Sequence, residues 1–194
     1  MNLRYGNLME SLFSYTDVCI TTNSFVKTNG ELVMGRGFAK QMADWDTRIP
    51  WFAGQEILKW NQEFSRWGGS SGYLTEIKGK PDPYGFLRLN ELERATSNTV
   101  YAERPRIHLF QVKKYWGDDA TLELVKRSVD MMQAHVRGTE RFGRTFALNY
   151  PAIGNGKLKK SEIEPIIATL PDNVDVWQYD HSNQPLEDTF GDLL

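Results

Sequence analysis

The 194-residue chain reads as an α/β sandwich built on a largely parallel sheet. Three observations carry that expectation. Short apolar runs rich in β-branched residues alternate with segments whose apolar residues recur every three or four positions. Two glycine-rich loops each follow one of those runs directly. Strand-helix-strand order then favours parallel pairing through crossover helices.

The elements follow in order. Asp17 to Thr22 (DVCITT) is a buried strand, and a glycine-punctuated loop runs from Asn23 to Gly37. Phe38, Ala39, Met42 and Trp45 fall at helical spacing. Ala53, Ile57, Trp60, Phe64 and Trp67 form one apolar helix stripe, which Gly68 to Gly72 stops. Tyr73 to Ile77 is strand-like. Lys78 to Arg106 is polar, holds Pro81, Pro83 and Pro105, and reads as an excursion from the sheet. Ile107 to Lys113 is again a strand. Asp118 or Asp119 suits the cap of a helix whose stripe is Leu122, Val125, Val129, Met132 and Val136. Arg144 to Tyr150 is the next strand, followed by the second glycine loop, Pro151 to Leu158. Ser161 and Glu164 match a capping box for a helix with Ile163, Ile166, Ile167 and Leu170 inward. Asn173 to Tyr179 is the last strand.

Composition narrows the function classes. The chain is 40% hydrophobic, 25% charged and 12% aromatic, which suits one folded domain and excludes collagen-like, low-complexity and wholly disordered chains. No apolar run has the length of a membrane span, and residues 1–14 lack the apolar centre of a secretion signal. A lone Cys19 forms no internal disulfide, so a cytoplasmic protein is expected. Residues 171–194 carry six acids and no Lys or Arg. The rest of the chain is correspondingly basic, and a modest positive bias suits an anionic ligand. His108, His135 and His181 are far apart in sequence, and no metal set is expected.

Both glycine loops belong at the carboxyl ends of strands, where α/β folds bind ligands. Backbone N–H groups and helix N-termini at such loops receive phosphates. Neither is a P-loop: Gly156-Lys157 is followed by Leu158 in place of the magnesium-binding hydroxyl. Gly35-Arg36-Gly37 begins like a dinucleotide fingerprint, but Lys40 stands where the third glycine belongs.

Thr22 to Gln41 (TNSFVKTNGELVMGRGFAKQ) resembles the first ligand loop of macrodomains, the ADP-ribose-binding family. Gly6-Asn7-Leu8 resembles the opening Gly-Asp-hydrophobic motif. Phe110 to Trp116 (FQVKKYW) resembles a segment of the prokaryotic, DNA-directed branch, and Pro151 to Leu158 (PAIGNGKL) resembles the second phosphate loop. The four stand in the family's order and span roughly Tyr5 to Tyr179.

The resemblance implies a three-layer α/β/α sandwich with a mixed, largely parallel sheet. Residues 1–180 would form one macrodomain with an insertion at about 78–106, and 181–194 an acidic tail. It implies that Asn7 and Leu8 meet the adenine, with Asn7 replacing the family's Asp and losing charge assistance. Asn23 would orient the distal ribose. Met34, Gly35, Arg36, Gly37 and Ala39, with Ile153, Gly154, Asn155, Gly156, Lys157 and Leu158, would wrap the diphosphate and ribose. Lys113 would be the catalytic residue, attacking C1″ as a neutral amine or stabilising the leaving group as a cation. Lys114 alternates to the opposite face. The partner would be ADP-ribose, or DNA or protein carrying it, with no metal or separate cofactor and no membrane. One departure favours the alternative of a non-catalytic ADP-ribose or nucleotide-binding module. Lys157-Leu158-Lys159-Lys160 holds no carboxylate where glutamate-directed members carry an Asp, and its lysines suit a nucleic-acid backbone. A phosphatase acting on ADP-ribose 1″-phosphate is a further alternative.

Overall fold

The computed structural model describes residues 1–65, 84–97 and 104–179. Six strands form one sheet: β1 (Asn2–Tyr5), β2 (Asp17–Thr22), β3 (Phe86–Arg88), β4 (Arg106–Gln111), β5 (Phe146–Asn149) and β6 (Val174–Gln178). Their order is β1-β6-β5-β2-β4-β3. Every pairing is parallel except β3 with β4, which is antiparallel. The helices are α1 (Gly37–Trp45), α2 (Ile49–Ser65), α3 (Asn90–Ser97), α4 (Leu122–Thr139) and α5 (Lys160–Ile167). Among the described residues, no helix is long and apolar enough to cross a membrane.

Side-chain alternation divides the core between the two faces of the sheet. Val18, Ile20, Ile107 and Leu109 pack with Met42 of α1 and Ile49, Ala53 and Ile57 of α2. Cys19, Phe110, Phe146 and Leu148 pack with Val125, Val129, Met132 and Val136 of α4 and Ile163 and Ile167 of α5. Helices therefore cover both faces, giving the expected three layers. That cover is why the central strands read as continuous apolar runs rather than alternating ones.

Several local expectations differ from the structure. The segment beginning at Lys78 is no excursion along its described part, because Phe86–Arg88 adds the antiparallel edge strand and Asn90–Ser97 a helix. A three-residue strand is too short for periodicity to reveal. Trp60 lies at the exposed margin of α2, while Ala53 and Ile57 are buried. The expected strand Tyr73–Ile77, the helix stop at Gly68–Gly72, and residues 180–194 lie outside the described residues, as do the side chains of Phe64 and Trp67.

Two helix starts also shift. Thr121, not Asp118 or Asp119, caps α4, and its hydroxyl accepts the Leu124 N–H at 3.3 Å. Capping requires extended backbone immediately before the first helical turn, and Thr121 has it at φ −115°, ψ 138°. Thr121→Ala is expected to cost about 1 kcal/mol, readable as a lower urea midpoint at unchanged slope. At α5, Glu162 rather than Glu164 reaches back to the Lys159 N–H at 2.9 Å, and Ser161 sits inside the first turn.

Candidate functional site

A cleft of about 680 Å³ opens beyond the carboxyl ends of β2, β4 and β5. That volume lies in the usual range for small-molecule sites. Three chain segments wall it.

The first segment follows β2. Asn23 organises it: its Oδ1 accepts the Phe25 N–H at 2.8 Å and its Nδ2 donates to the Val33 carbonyl at 2.7 Å. A bridge between Val26 and Leu32 folds the loop back on itself. The Leu32 N–H donates to the Pro50 carbonyl at 2.8 Å, docking the loop on α2. Close approach there depends on Gly54, since a Cβ at that position would lie 2.0 Å from the Gly30 oxygen. Gly54→Ala therefore displaces the loop and is expected to cost about 2 kcal/mol, readable as a lower urea midpoint. The segment ends in Gly35, Arg36 and Gly37, all exposed, at the N-terminus of α1. The opening N–H groups of an α-helix have no carbonyl behind them and carry partial positive charge.

The second segment is the loop after β5. Ala152 and Lys157, near its two ends, hold left-handed backbone at φ 63° and φ 59°. Such geometry is costly for non-glycine residues, about 1 kcal/mol each, and tends to persist at ligand sites. The loop closes on itself through Leu158 N–H to Ala152 O at 3.1 Å and Lys157 N–H to Gly154 O at 2.9 Å.

The third segment, 112–121, follows β4. The Ala120 N–H donates to the Gly156 carbonyl at 2.9 Å, tying this segment to the second loop. Lys113 lies two residues past β4 and lines the cleft. Its Nζ donates to the Asp118 carbonyl at 2.8 Å and the Asn155 carbonyl at 3.2 Å. Burial pushes its pKa below the usual lysine value, against the raising influence of the Asp119 and Asp118 carboxylates, while Lys157 and Arg36 lower it further. Lys114 takes the other direction, its ammonium 4.9 Å from the Tyr84 ring centre.

Of the residues singled out in the sequence, the cleft gathers Asn23, Met34 to Gly37, Ala39, Lys113 and Ile153 to Lys157. Asn7, Leu8 and Leu158 are not part of its lining. The Asn7 side-chain Oδ1 accepts the Met9 N–H at 3.1 Å, capping a short 3-10 helix over Leu8–Ser14. Leu8 is buried in the core beneath, and Leu158 packs against the opposite core face.

The cleft also holds Asn149, which sequence reasoning passed over, and Trp116, which follows the candidate lysine in sequence. Asn149 ends β5, and its Oδ1 accepts the Thr21 N–H at 2.8 Å, fixing the floor. A polar residue closing the apolar run Phe146–Leu148 was the available signal. Trp116 lines the mouth and is about half exposed, and Tyr115 beside it packs edge-on to Phe25 with ring centres 5.0 Å apart. The Thr22 hydroxyl is buried with no hydrogen-bond partner among the described residues.

At the other end of the strands, Asp17, His108 and His135 converge, their potential ligand atoms within 4.8 Å of one another. The Asp17 carboxylate is already engaged by His108 Nε2 at 2.8 Å and the Thr16 hydroxyl at 2.8 Å. Arg144 and Arg106 lie 3.6 and 3.8 Å from it. Two guanidinium charges oppose a further cation there, so the cluster is a buried ion network. Burial raises the Asp17 pKa, but His108, Thr16 and Arg144 outweigh it and hold the carboxyl below its ordinary value. Burial holds His108 below its ordinary value despite Asp17, so a neutral His108 donates its Nε2 proton to the carboxylate.

No protein-family model matches the chain, and no curated protein does. Solved structures do. The chain is similar to the macrodomain of Thermus aquaticus DarG, at 20% identity and TM-score 0.53, over 92% of this chain and 97% of that one. It is similar to the macrodomain of Mycobacterium tuberculosis DarG, at 20% identity and TM-score 0.51, over 93% and 98%. It is also similar to Thermosipho africanus DarTG in complex with ADP-ribose, at 16% identity and TM-score 0.57. That match covers 95% of this chain but 43% of the longer one.

Proposed function

We propose, starting from the macrodomain fold of this chain, that its cleft binds ADP-ribose and that Lys113 acts there to release ADP-ribose from a modified macromolecule. The observation that carries the reading is the ammonium of Lys113, held between the two loops by the Asp118 and Asn155 carbonyls and facing the space they enclose. A diphosphate suits the surroundings. The N-terminus of α1, the exposed Gly35-Arg36-Gly37 backbone and the strained second loop all offer donors to an anion.

The chemistry follows from that donor set. A water oxygen bonds to C1″ of the distal ribose as the bond from C1″ to the carrier atom breaks, and the carrier leaves with a proton. Charge accumulates on the departing atom, and a fixed ammonium lowers the cost of that charge. Lys113 already donates to two carbonyls, which favours its charged form over the neutral amine that covalent attack needs. Asn149 and Asn23 act indirectly, by holding the floor and the first loop in place.

Calorimetric titration with ADP-ribose, with AMP as control, tests the binding step. One-to-one binding much tighter than for AMP is expected, and equal affinity for the two overturns the reading. Release of ADP-ribose from modified DNA and from modified protein then tests turnover. The second reading is a binding module without chemistry. It is favoured by Lys157-Leu158-Lys159-Lys160, where the second loop runs into α5 without a carboxylate. Tight binding with no release from either carrier selects it.

A further inference from the structure

The cleft carries a carboxylate beside the lysine-bearing second loop. Asp119 Oδ1 lies 2.8 Å from Lys157 Nζ, so the third segment and the second loop are joined by an ion pair at the cleft wall. Both side chains are largely exposed, at 70% for Lys157 and 61% for Asp119. An ion pair in that setting is worth little and opens readily. Lys157 sits on the glycine loop, where an anionic ligand is expected. Of the two carboxylates that raise the Lys113 pKa, Asp119 acts more strongly than Asp118, while Lys157 and Arg36 act in the opposite sense. Four charged groups thus surround Lys113, and one pair of them is mutually engaged.

We propose that Asp119 is a positioning residue for Lys113, held in reserve by Lys157: an anionic ligand that takes Lys157 frees the Asp119 carboxylate to face the Lys113 ammonium. The exchange conserves charge. In the free protein Lys157 is neutralised by Asp119. In the complex it is neutralised by the ligand's phosphate, and Asp119 is released on the segment whose Asp118 carbonyl already holds the Lys113 ammonium. Ligand binding then strengthens the charged form of Lys113 only when an anion is seated, so the lysine is set for its work by the substrate itself. The proposal deepens the reading of the cleft as an ADP-ribose site and rests on it for the identity of the ligand, though not for the exchange.

The test is a double-mutant cycle read by calorimetry at low salt with two probes, ADP-ribose and inorganic pyrophosphate. The proteins are the wild type, Asp119→Asn, Lys157→Met and the double variant. Asp119→Asn is expected to tighten pyrophosphate about threefold by removing the competitor for Lys157. In the Lys157→Met background the same change has no effect. An equal gain in both backgrounds reflects simple charge removal and overturns the proposal. The second readout is the titration of the Lys113 amine, followed by NMR with and without pyrophosphate. Asp119→Asn is expected to lower its midpoint more in the complex than in the free protein, and Asp119→Glu to restore the difference. Equal shifts in both states overturn the proposal. Thermal midpoints within a few degrees of wild type establish that each variant is folded. If pyrophosphate completes the cycle and ADP-ribose does not bind, the functional reading fails and the exchange stands. If both bind with additive effects, the exchange fails and the reading stands. Binding of neither probe overturns both.

Discussion

Lys113→Ala is expected to reduce release of ADP-ribose at least 100-fold while changing the ADP-ribose dissociation constant less than about threefold. The split follows from where the side chain bonds. Its ammonium donates to backbone carbonyls of the chain itself, Asp118 and Asn155, and the donors proposed for the diphosphate lie elsewhere, at the start of α1 and in the second loop. Removing a donor that acts mainly on developing charge typically costs two to three orders of magnitude in turnover. Lys113→Arg keeps the charge but not the reach between two carbonyls, so only partial recovery is expected. Single-turnover rates on a modified carrier, with a parallel titration, separate the two quantities. Loss of binding in step with turnover overturns the assignment.

The largest effect on stability belongs to the other end of the sheet. Asp17→Ala is expected to cost about 3 kcal/mol. It leaves His108 Nε2 without its acceptor in a fully buried position and leaves Arg144 and Arg106 facing each other without the intervening carboxylate. Asp17→Asn retains an acceptor and should cost less. The same cluster makes the fold acid-sensitive. Burial and the neighbouring His108 push His135 down to about 4 from its ordinary 6.5, and His108 shifts in the same direction. A histidine with a depressed folded-state value binds its proton more readily when unfolded. Its contribution is therefore full above about pH 6.5 and is lost as pH falls toward 4. Asp17, also lowered, adds to the loss below the ordinary carboxylate value. The expected decline between pH 7 and pH 4.5 is about 2 kcal/mol, allowing for the partial exposure of His135. Urea unfolding at the two pH values measures it. His135→Gln should flatten the dependence, and an unchanged slope in that variant refutes the role given to His135.

Much of the fold was legible in the chain. The run DVCITT, the stripe from Leu122 to Val136 and the apolar stretch ending at Asn149 report burial directly, because local periodicity and burial are the same physical fact. The two glycine loops were also placed correctly at strand ends, since each must follow its strand in the chain. Lys113, expected as the last residue of its strand, lies two residues past β4, because β4 ends at Gln111.

Partners across the fold were decided only by tertiary structure. Asn7 caps a 3-10 helix because its side-chain oxygen meets the Met9 N–H two residues on, a local role the motif did not report. Thr121 displaces Asp118 and Asp119 as a helix cap because its backbone is extended at the required place, leaving Asp119 free to reach Lys157 on another loop. The register that sets Cys19 beside His108 sets Asp17 beside Arg106, and the packing of α4 then brings His135 against them. Ninety residues separate Asp17 from that histidine pair's first member only along the chain. Sequence reports how each side chain is disposed along its own element; register and crossover decide which of them meet, and that is where this protein's buried charges and its cleft lysine acquire their surroundings.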